Sequence, residues 1–311
     1  MRGQPNPRRA ASDAIRLGLL TLLWLVASTS YAQLVGFGGN GADWTLNGSA
    51  VVSDEVLTLT DNNPAEAGSA FYNTQVPVTA AFTTTFTYTA GGSKQADGVA
   101  FVLQNDSRGV NAVGGNGGAL GYGYAAASTI HGVPITSSAA VEFNIYSAYT
   151  MGTRYATDGA TSEGGGYTST LPVDLASGDL ILVNLNYDGS QYLTETLTDL
   201  TTNNKWNTTY TVGSLVATTG GTSAYVGFTA GTGSAVSTQT IENFTFSSSA
   251  VPEPSSFALL ATGAVALVGY GWRKRRATRT AKPTAFTQQD APAILAFPSH
   301  ASPASTARRA A

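Results

Sequence analysis

The chain has 311 residues, no cysteine and a formal charge of −3 from 16 basic and 19 acidic residues. No disulfide can support its fold, and the lack of cysteine leaves the redox compartment open. Between Gln33 and Ala250 only Lys94, Arg108, Arg154 and Lys205 oppose sixteen acidic residues, a balance of −12 that argues against a nucleic-acid or anionic-lipid partner.

The N-terminus reads as an export signal. Arg2, Arg8, Arg9 and Arg16 form a positive stretch, and residues 17–27 follow as an apolar run. Ser30-Tyr31-Ala32 is a small-x-small site, so cleavage is expected between Ala32 and Gln33. The expected organisation is a signal peptide over 1–32, a β domain over 33–250, a sorting segment over 251–276 and a disordered tail over 277–311. A middle region of about 218 residues suits one large β domain better than two small ones.

That region alternates with a period of two. Phe82, Thr84, Phe86 and Tyr88 share one face of a predicted strand, and Thr83, Thr85, Thr87 and Thr89 share the other. Val99, Phe101 and Leu103 point inward from the next strand, with Ala100 and Val102 opposite. Over residues 140–146, Val141, Phe143 and Ile145 oppose Glu142, Asn144 and Tyr146. Such alternation, rich in threonine, valine and aromatics, predicts half-buried strands. Residues 180–187 and 192–200 form a predicted hairpin across Asp188-Gly189. Residues 225–230 and 239–246 supply the last strands, and no stretch has a convincing helical period. Many short strands between glycine- and asparagine-rich turns predict an all-β antiparallel sandwich or barrel.

The motifs ADGVAFVLQND (96–106), GGNGGALGYG (114–123) and AAVEFNIY (139–146) stand in the order found in legume-type (L-type) lectins, and the chain resembles that family. VNLNYDG (183–189), AYVGFTAGTG (224–233) and TIENFTF (240–246) resemble its closing strands. The resemblance covers nearly all of residues 33–250 and implies a concanavalin A-like jelly roll with a shallow sugar site. Asp97 matches the carboxylate that accepts from two sugar hydroxyls, where a charged acceptor gives a stronger bond. Gly117 and Gly118 match the glycine pair whose backbone N–H donates to the same sugar, and glycine allows close approach. Residues 231–236, with Thr232, Gly233 and Ser234, correspond to the loop that sets sugar preference; Asn144 and Tyr146 flank the site.

The family's metal pattern is incomplete here. Glu142 is retained, but Asn144 replaces an expected aspartate, Ala148 replaces an asparagine, and no histidine lies between Met151 and Gly159. Hard cations want several anionic oxygens, so Glu142 and Asn144 offer at most a degenerate calcium site. Asp158 could add to it only if its loop folds back. Competing readings stand beside each site residue. Asp97-Gly98 could simply close a turn, Tyr122, Tyr124 and Tyr146 could be packing rather than sugar platforms, and His131 reads as a loop residue. A glycosidase needs two suitably spaced carboxylates, and the face of Glu142 carries only one, so an enzyme is not expected. A matrix or adhesion protein that keeps the fold without a sugar site is the alternative to carbohydrate binding.

The C-terminal segment adds a second export feature. Pro252-Glu253-Pro254 leads into an apolar run over 257–272, closed by Arg273-Lys274-Arg275-Arg276. As a helix the run would measure about 24 Å against a hydrocarbon core of about 30 Å, and the basic cluster places the preceding chain outside. The layout resembles the PEP-CTERM sorting signal of Gram-negative bacteria. That resemblance implies processing by an exosortase-type membrane transpeptidase and a destination in the envelope, at the cell surface or in an extracellular matrix. The tail beyond Arg276 departs from the pattern, lacks apolar periodicity and reads as disordered.

Overall fold

The alternating segments pair as strands in the computed structural model, which describes residues 31–126, 131–160, 166–249 and the helical residues Leu267, Gly269, Tyr270 and Trp272. In chain order the first strands are β1 (Tyr31–Val35), β2 (Trp44–Gly48), β3 (Val51–Ser53), β4 (Val56–Asp61), β5 (Ala67–Tyr72) and β6 (Val76–Pro77). Next come β7 (Phe82–Gly91), β8 (Gly98–Gln104), β9 (Ser138–Asn144), β10 (Gly152–Thr157) and β11 (Thr168–Ser169). The last five are β12 (Ile181–Tyr187), β13 (Tyr192–Asp199), β14 (Lys205–Thr211), β15 (Ser223–Gly231) and β16 (Thr238–Ser249).

They form two antiparallel sheets. One runs β14-β13-β12-β7-β16-β4-β3 with β1 on β16, and the other runs β11-β10-β9-β8-β15-β5-β2 with β6 on β15. Between them lies an aromatic-rich core in which Phe86 meets Phe228 edge-on at 4.9 Å and Phe37 stacks on Phe244 at 5.8 Å. Each buried ring of this kind contributes about 1.5–3 kcal/mol. The expected alternation holds in most of β7, where Phe82, Phe86 and Tyr88 are core residues and Thr83, Thr85 and Thr89 are half-exposed, but Thr87 on the outer face is buried.

The second sheet departs from the half-buried expectation. Every residue of β8 and β9 is buried. Val99, Phe101, Leu103, Val141 and Phe143 enter the core between the sheets. On the opposite face Ala100, Val102 and Ala140 pack against Tyr122, Ile135 and Ala112 from the β8–β9 connection, which folds back over the sheet as a second small core. Asp106 and Arg108 fasten this connection: Arg108 Nε and Nη2 donate to the Asp106 carboxylate at 2.7 and 3.0 Å and the same guanidinium donates to Val113 O and Pro134 O. Tyr122 is packing, fully buried with its hydroxyl 2.8 Å from Ser138 Oγ.

The expected cleavage point falls within β1, where Gln33, Leu34 and Val35 pair with Ser247, Phe246 and Thr245. Residues 1–30, the sorting motif Pro252, Glu253 and Pro254 and the tail over 277–311 lie outside the described residues. So does the expected membrane run, apart from Leu267, Gly269, Tyr270 and Trp272. No helix among the described residues is long and apolar enough to cross a membrane.

Candidate functional site

Strand register brings the site together. Asp97 immediately precedes β8, the strand between β9 and β15, and is 5 % exposed. Its N–H donates to Gly231 O at 3.1 Å and its carbonyl accepts from Ile145 N at 2.9 Å, so both neighbouring strands hold it; the Ala96–Asp97 peptide bond is cis. Gly98 must be glycine here, because its φ is +146° and a Cβ would fall 2.0 Å from Phe143 O.

Two further glycines bracket the Asp97 carboxylate. Gly117 opens a single 3-10 turn (Gly117–Ala119), with φ at +60°, and donates to Thr232 O at 3.0 Å. A Cβ on Gly117 would stand 3.8 Å from Asp97 Oδ2, and one on Gly233 would stand 3.5 Å from the same oxygen. A charged acceptor therefore faces side-chain-free backbone on two sides. Gly118 is half-buried in the same turn and Ser234 is exposed on the 231–236 loop. Tyr146 is half-buried and meets Tyr149 edge-on at 5.2 Å. A carboxylate beside bare peptide groups suits a polyhydroxylated ligand.

Thr232 is wholly buried and its hydroxyl faces inward, donating to Asn63 O at 2.7 Å and accepting from Glu66 N–H at 3.0 Å. The 61–66 segment is thus a wall of the site that the sequence did not reveal. It also pairs Ala65 N with Gly233 O at 2.9 Å and Thr232 N with Glu66 O at 3.0 Å. Glu66 caps the turn by accepting from the backbone of Asp61 and Asn63; burial and the Asp61 carboxylate push its pKa upward. Tyr124 lies in the β8–β9 connection, half-exposed and stacked on His131 at 5.4 Å.

A different constellation surrounds Glu142 and Asn144. Glu142 is fully buried and accepts from Arg154 Nε at 2.6 Å and from the Tyr167 hydroxyl at 3.0 Å. Burial pushes the Glu142 carboxyl up against the pull of Arg154 and Tyr167. Burial disfavours the Arg154 charge too, yet its bonds to Glu142 raise it above its ordinary value. A guanidinium stays protonated, so a cation sits 2.6 Å from the Glu142 carboxyl. Asn144 donates to Tyr146 O at 3.2 Å and Thr150 O at 3.0 Å, and accepts from Tyr146 N at 3.3 Å. Asp158 is exposed, and among the described residues no three His, Cys, Asp or Glu side chains gather to hold a metal. These residues do not fit a calcium site: the one carboxylate is already bonded to a cation and the amide already holds the loop.

A concavity of about 530 Å³ lies at the far end of β8, beside Gln75, Asn105 and Ser223. Its polar groups are engaged with one another, Gln75 Nε2 donating to Asn105 Oδ1 at 2.7 Å and Ser223 Oγ to Gln75 Oε1 at 2.8 Å.

Fold and site together define a jelly-roll sandwich of the lectin class. The legume lectin domain matches residues 30–260, and the chain belongs to that family. The PEP-CTERM protein-sorting motif matches residues 250–276 and marks the chain for export and sorting to the envelope of a Gram-negative bacterium. Similar solved structures include a lectin from Bauhinia forficata in complex with GalNAc, 24 % identical over 70 % of this chain and 98 % of that one, with a TM-score of 0.57. Arcelin-5, a lectin-like defense protein from Phaseolus vulgaris, is 20 % identical over 70 % of this chain and 98 % of its own, with a TM-score of 0.56. Lectin I-B4 from Griffonia simplicifolia in its metal-free form is 21 % identical over 69 % and 98 %, with a TM-score of 0.54. At these identities the likeness establishes the fold.

Proposed function

We propose that the chain is an exported lectin that binds carbohydrate without catalysis, its partner being an envelope or matrix polysaccharide. The observation that carries this reading is the Asp97 carboxylate bracketed by Gly117 and Gly233. In this reading Asp97 accepts from two sugar hydroxyls, a Gly118 N–H donates to the same sugar, Tyr146 packs against its face, and the 231–236 loop selects the sugar. Catalysis has little support. A glycosidase needs two approachable carboxylates, whereas Glu142, the sole acid of β9, is buried and bonded to Arg154 and Tyr167.

Sorting completes the proposal. The signal peptide is removed between Ala32 and Gln33, the apolar run over 257–272 holds the chain in the membrane, and an exosortase-type transpeptidase cuts near Pro252–Pro254. The released domain over 33–250 carries the −12 balance and so disfavours nucleic acid. The near-complete burial of Asp97 favours one alternative, a matrix protein that keeps the lectin fold without a working site. A glycan array probed with the purified protein, N-acetylgalactosamine among the arrayed sugars, separates the two. Binding to at least one glycan is expected, and silence across the array would favour the matrix reading.

A further inference from the structure

Glu142 and Arg154 are cross-strand partners on β9 and β10. Their contact does two things at once. The guanidinium neutralises a carboxylate that has no access to water: Nε donates to Glu142 Oε2 at 2.6 Å, Nη2 reaches Oε1 at 3.4 Å, and the two side chains are 16 % and 0 % exposed. It gathers chain beyond β10, since Nη2 also donates to Ala160 O and the guanidinium carbon lies 5.3 Å over the Tyr167 ring. Tyr167 closes the cluster with its own bond to Glu142 Oε2. Beside it Asn144, on the same face two residues along β9, holds the next loop through Tyr146 and Thr150. Asn144 is also the register partner of Gly98, one residue from Asp97.

A divalent ion placed here would neutralise the acid, collect carbonyl oxygens and order the flanking loops. Each of those tasks is already performed by groups bonded to the chain. An arriving cation would meet a fixed positive charge at about hydrogen-bond distance from the one available carboxylate, and would have to displace donors from Glu142 Oε2 that already number two.

We infer that Arg154 is the resident cation of this face, holding the chain beyond β10 against buried Glu142 while Asn144 holds the β9–β10 loop, so that the site is organised without metal. The inference deepens the proposed carbohydrate-binding function and rests on it only for the identity of the site being organised. Its test needs no sugar. The purified full chain is melted with excess CaCl2, with excess MnCl2 and with EDTA, alongside Arg154→Met and Arg154→Lys, and amide hydrogen exchange is followed in residues 158–160 and 166–169.

The wild-type melt should be the same in all three conditions. Arg154→Met strands a buried carboxylate and should lower Tm by about 6–15 °C, with exchange in 158–160 and 166–169 quickened more than in β7 and β12. Arg154→Lys keeps the charge and should recover part of both losses. A wild-type Tm that climbs with calcium or manganese, or drops in EDTA, overturns the inference. So does an Arg154→Met protein with wild-type melt and exchange, or one that loses stability uniformly without faster local exchange. If Arg154→Met does not fold, Arg154→Lys and the wild-type metal series decide, because the lysine variant must retain a metal-insensitive melt. Loss of carbohydrate binding would be seen on the glycan array and leaves these results unchanged.

Discussion

Gly233→Ala is the most discriminating single perturbation of the site, because it adds one methyl group where the ligand is expected. The added Cβ would lie 3.5 Å from Asp97 Oδ2 and 3.7 Å from Gly117 Cα, both ordinary contacts, and Gly233 does not adopt a positive φ. The folded backbone should therefore accept alanine. Reduced freedom in the unfolded chain should even stabilise it, by about 0.4–1 kcal/mol. Binding should respond differently. A hydroxyl donating to this carboxylate must bring its oxygen to about 2.5–2.7 Å, through space that the methyl group fills. Loss of one charge-assisted bond costs about 1.5–3 kcal/mol, or about 10- to 150-fold in affinity. Melting and glycan affinity measured on one preparation give both numbers. An intact melt with undiminished affinity would refute the site. Gly117→Ala provides a contrast, since its φ of +60° makes alanine strained; it should lose about 1–2 kcal/mol of stability as well as affinity.

Three further outcomes are expected. Glu195 is buried and accepts from the Tyr210 hydroxyl at 2.7 Å, and burial pushes it up to about 7. A carboxyl raised in the folded state holds its proton more tightly there, so stability is full below the ordinary value of 4.5 and falls as pH rises towards 7. The loss is about 3 kcal/mol. Glu195→Gln should remove that slope, and equal slopes in the two proteins would contradict the assignment. Asp106 behaves oppositely: burial pulls it up, but bonds from Arg108 and Thr136 outweigh this and hold it well below the usual range. Its stabilisation is present above the ordinary value of 3.8 and fades as pH falls further, so Asp106→Asn should lower the neutral-pH Tm by several degrees; an unchanged melt would show that the fastening is not needed. For sorting, mass spectrometry of envelope or secreted material should find a chain that begins at Gln33 and lacks residues 257–311, and an intact Arg273-to-Ala311 tail on mature protein would refute the processing step.

Strands were legible wherever one face is polar. The Thr83-to-Thr89 alternation needs no tertiary information, and β7 forms where it predicts. The double burial of β8 and β9 was not legible, because it depends on Tyr122 and Ile135 folding back from a glycine-rich connection with no period of its own. Asp97 was visible through the order of motifs around it. The inward turn of Thr232 was not, since its partners Asn63 and Glu66 are remote in sequence. Arg154 stood out as one of four basic residues between Gln33 and Ala250. Its pairing with Glu142 depends on a strand register that no local pattern specifies.

The central claim is that the Asp97 carboxylate is the main acceptor for a sugar. Asp97→Ala removes the carboxylate and leaves the backbone bonds to Gly231 and Ile145 in place. The decisive measurement is glycan affinity alongside the melt of the same variant. Two charge-assisted bonds lost should weaken binding by more than about 100-fold while the folded state survives. A variant that melts earlier yet binds its glycan with wild-type affinity would make Asp97 a turn residue and contradict the account.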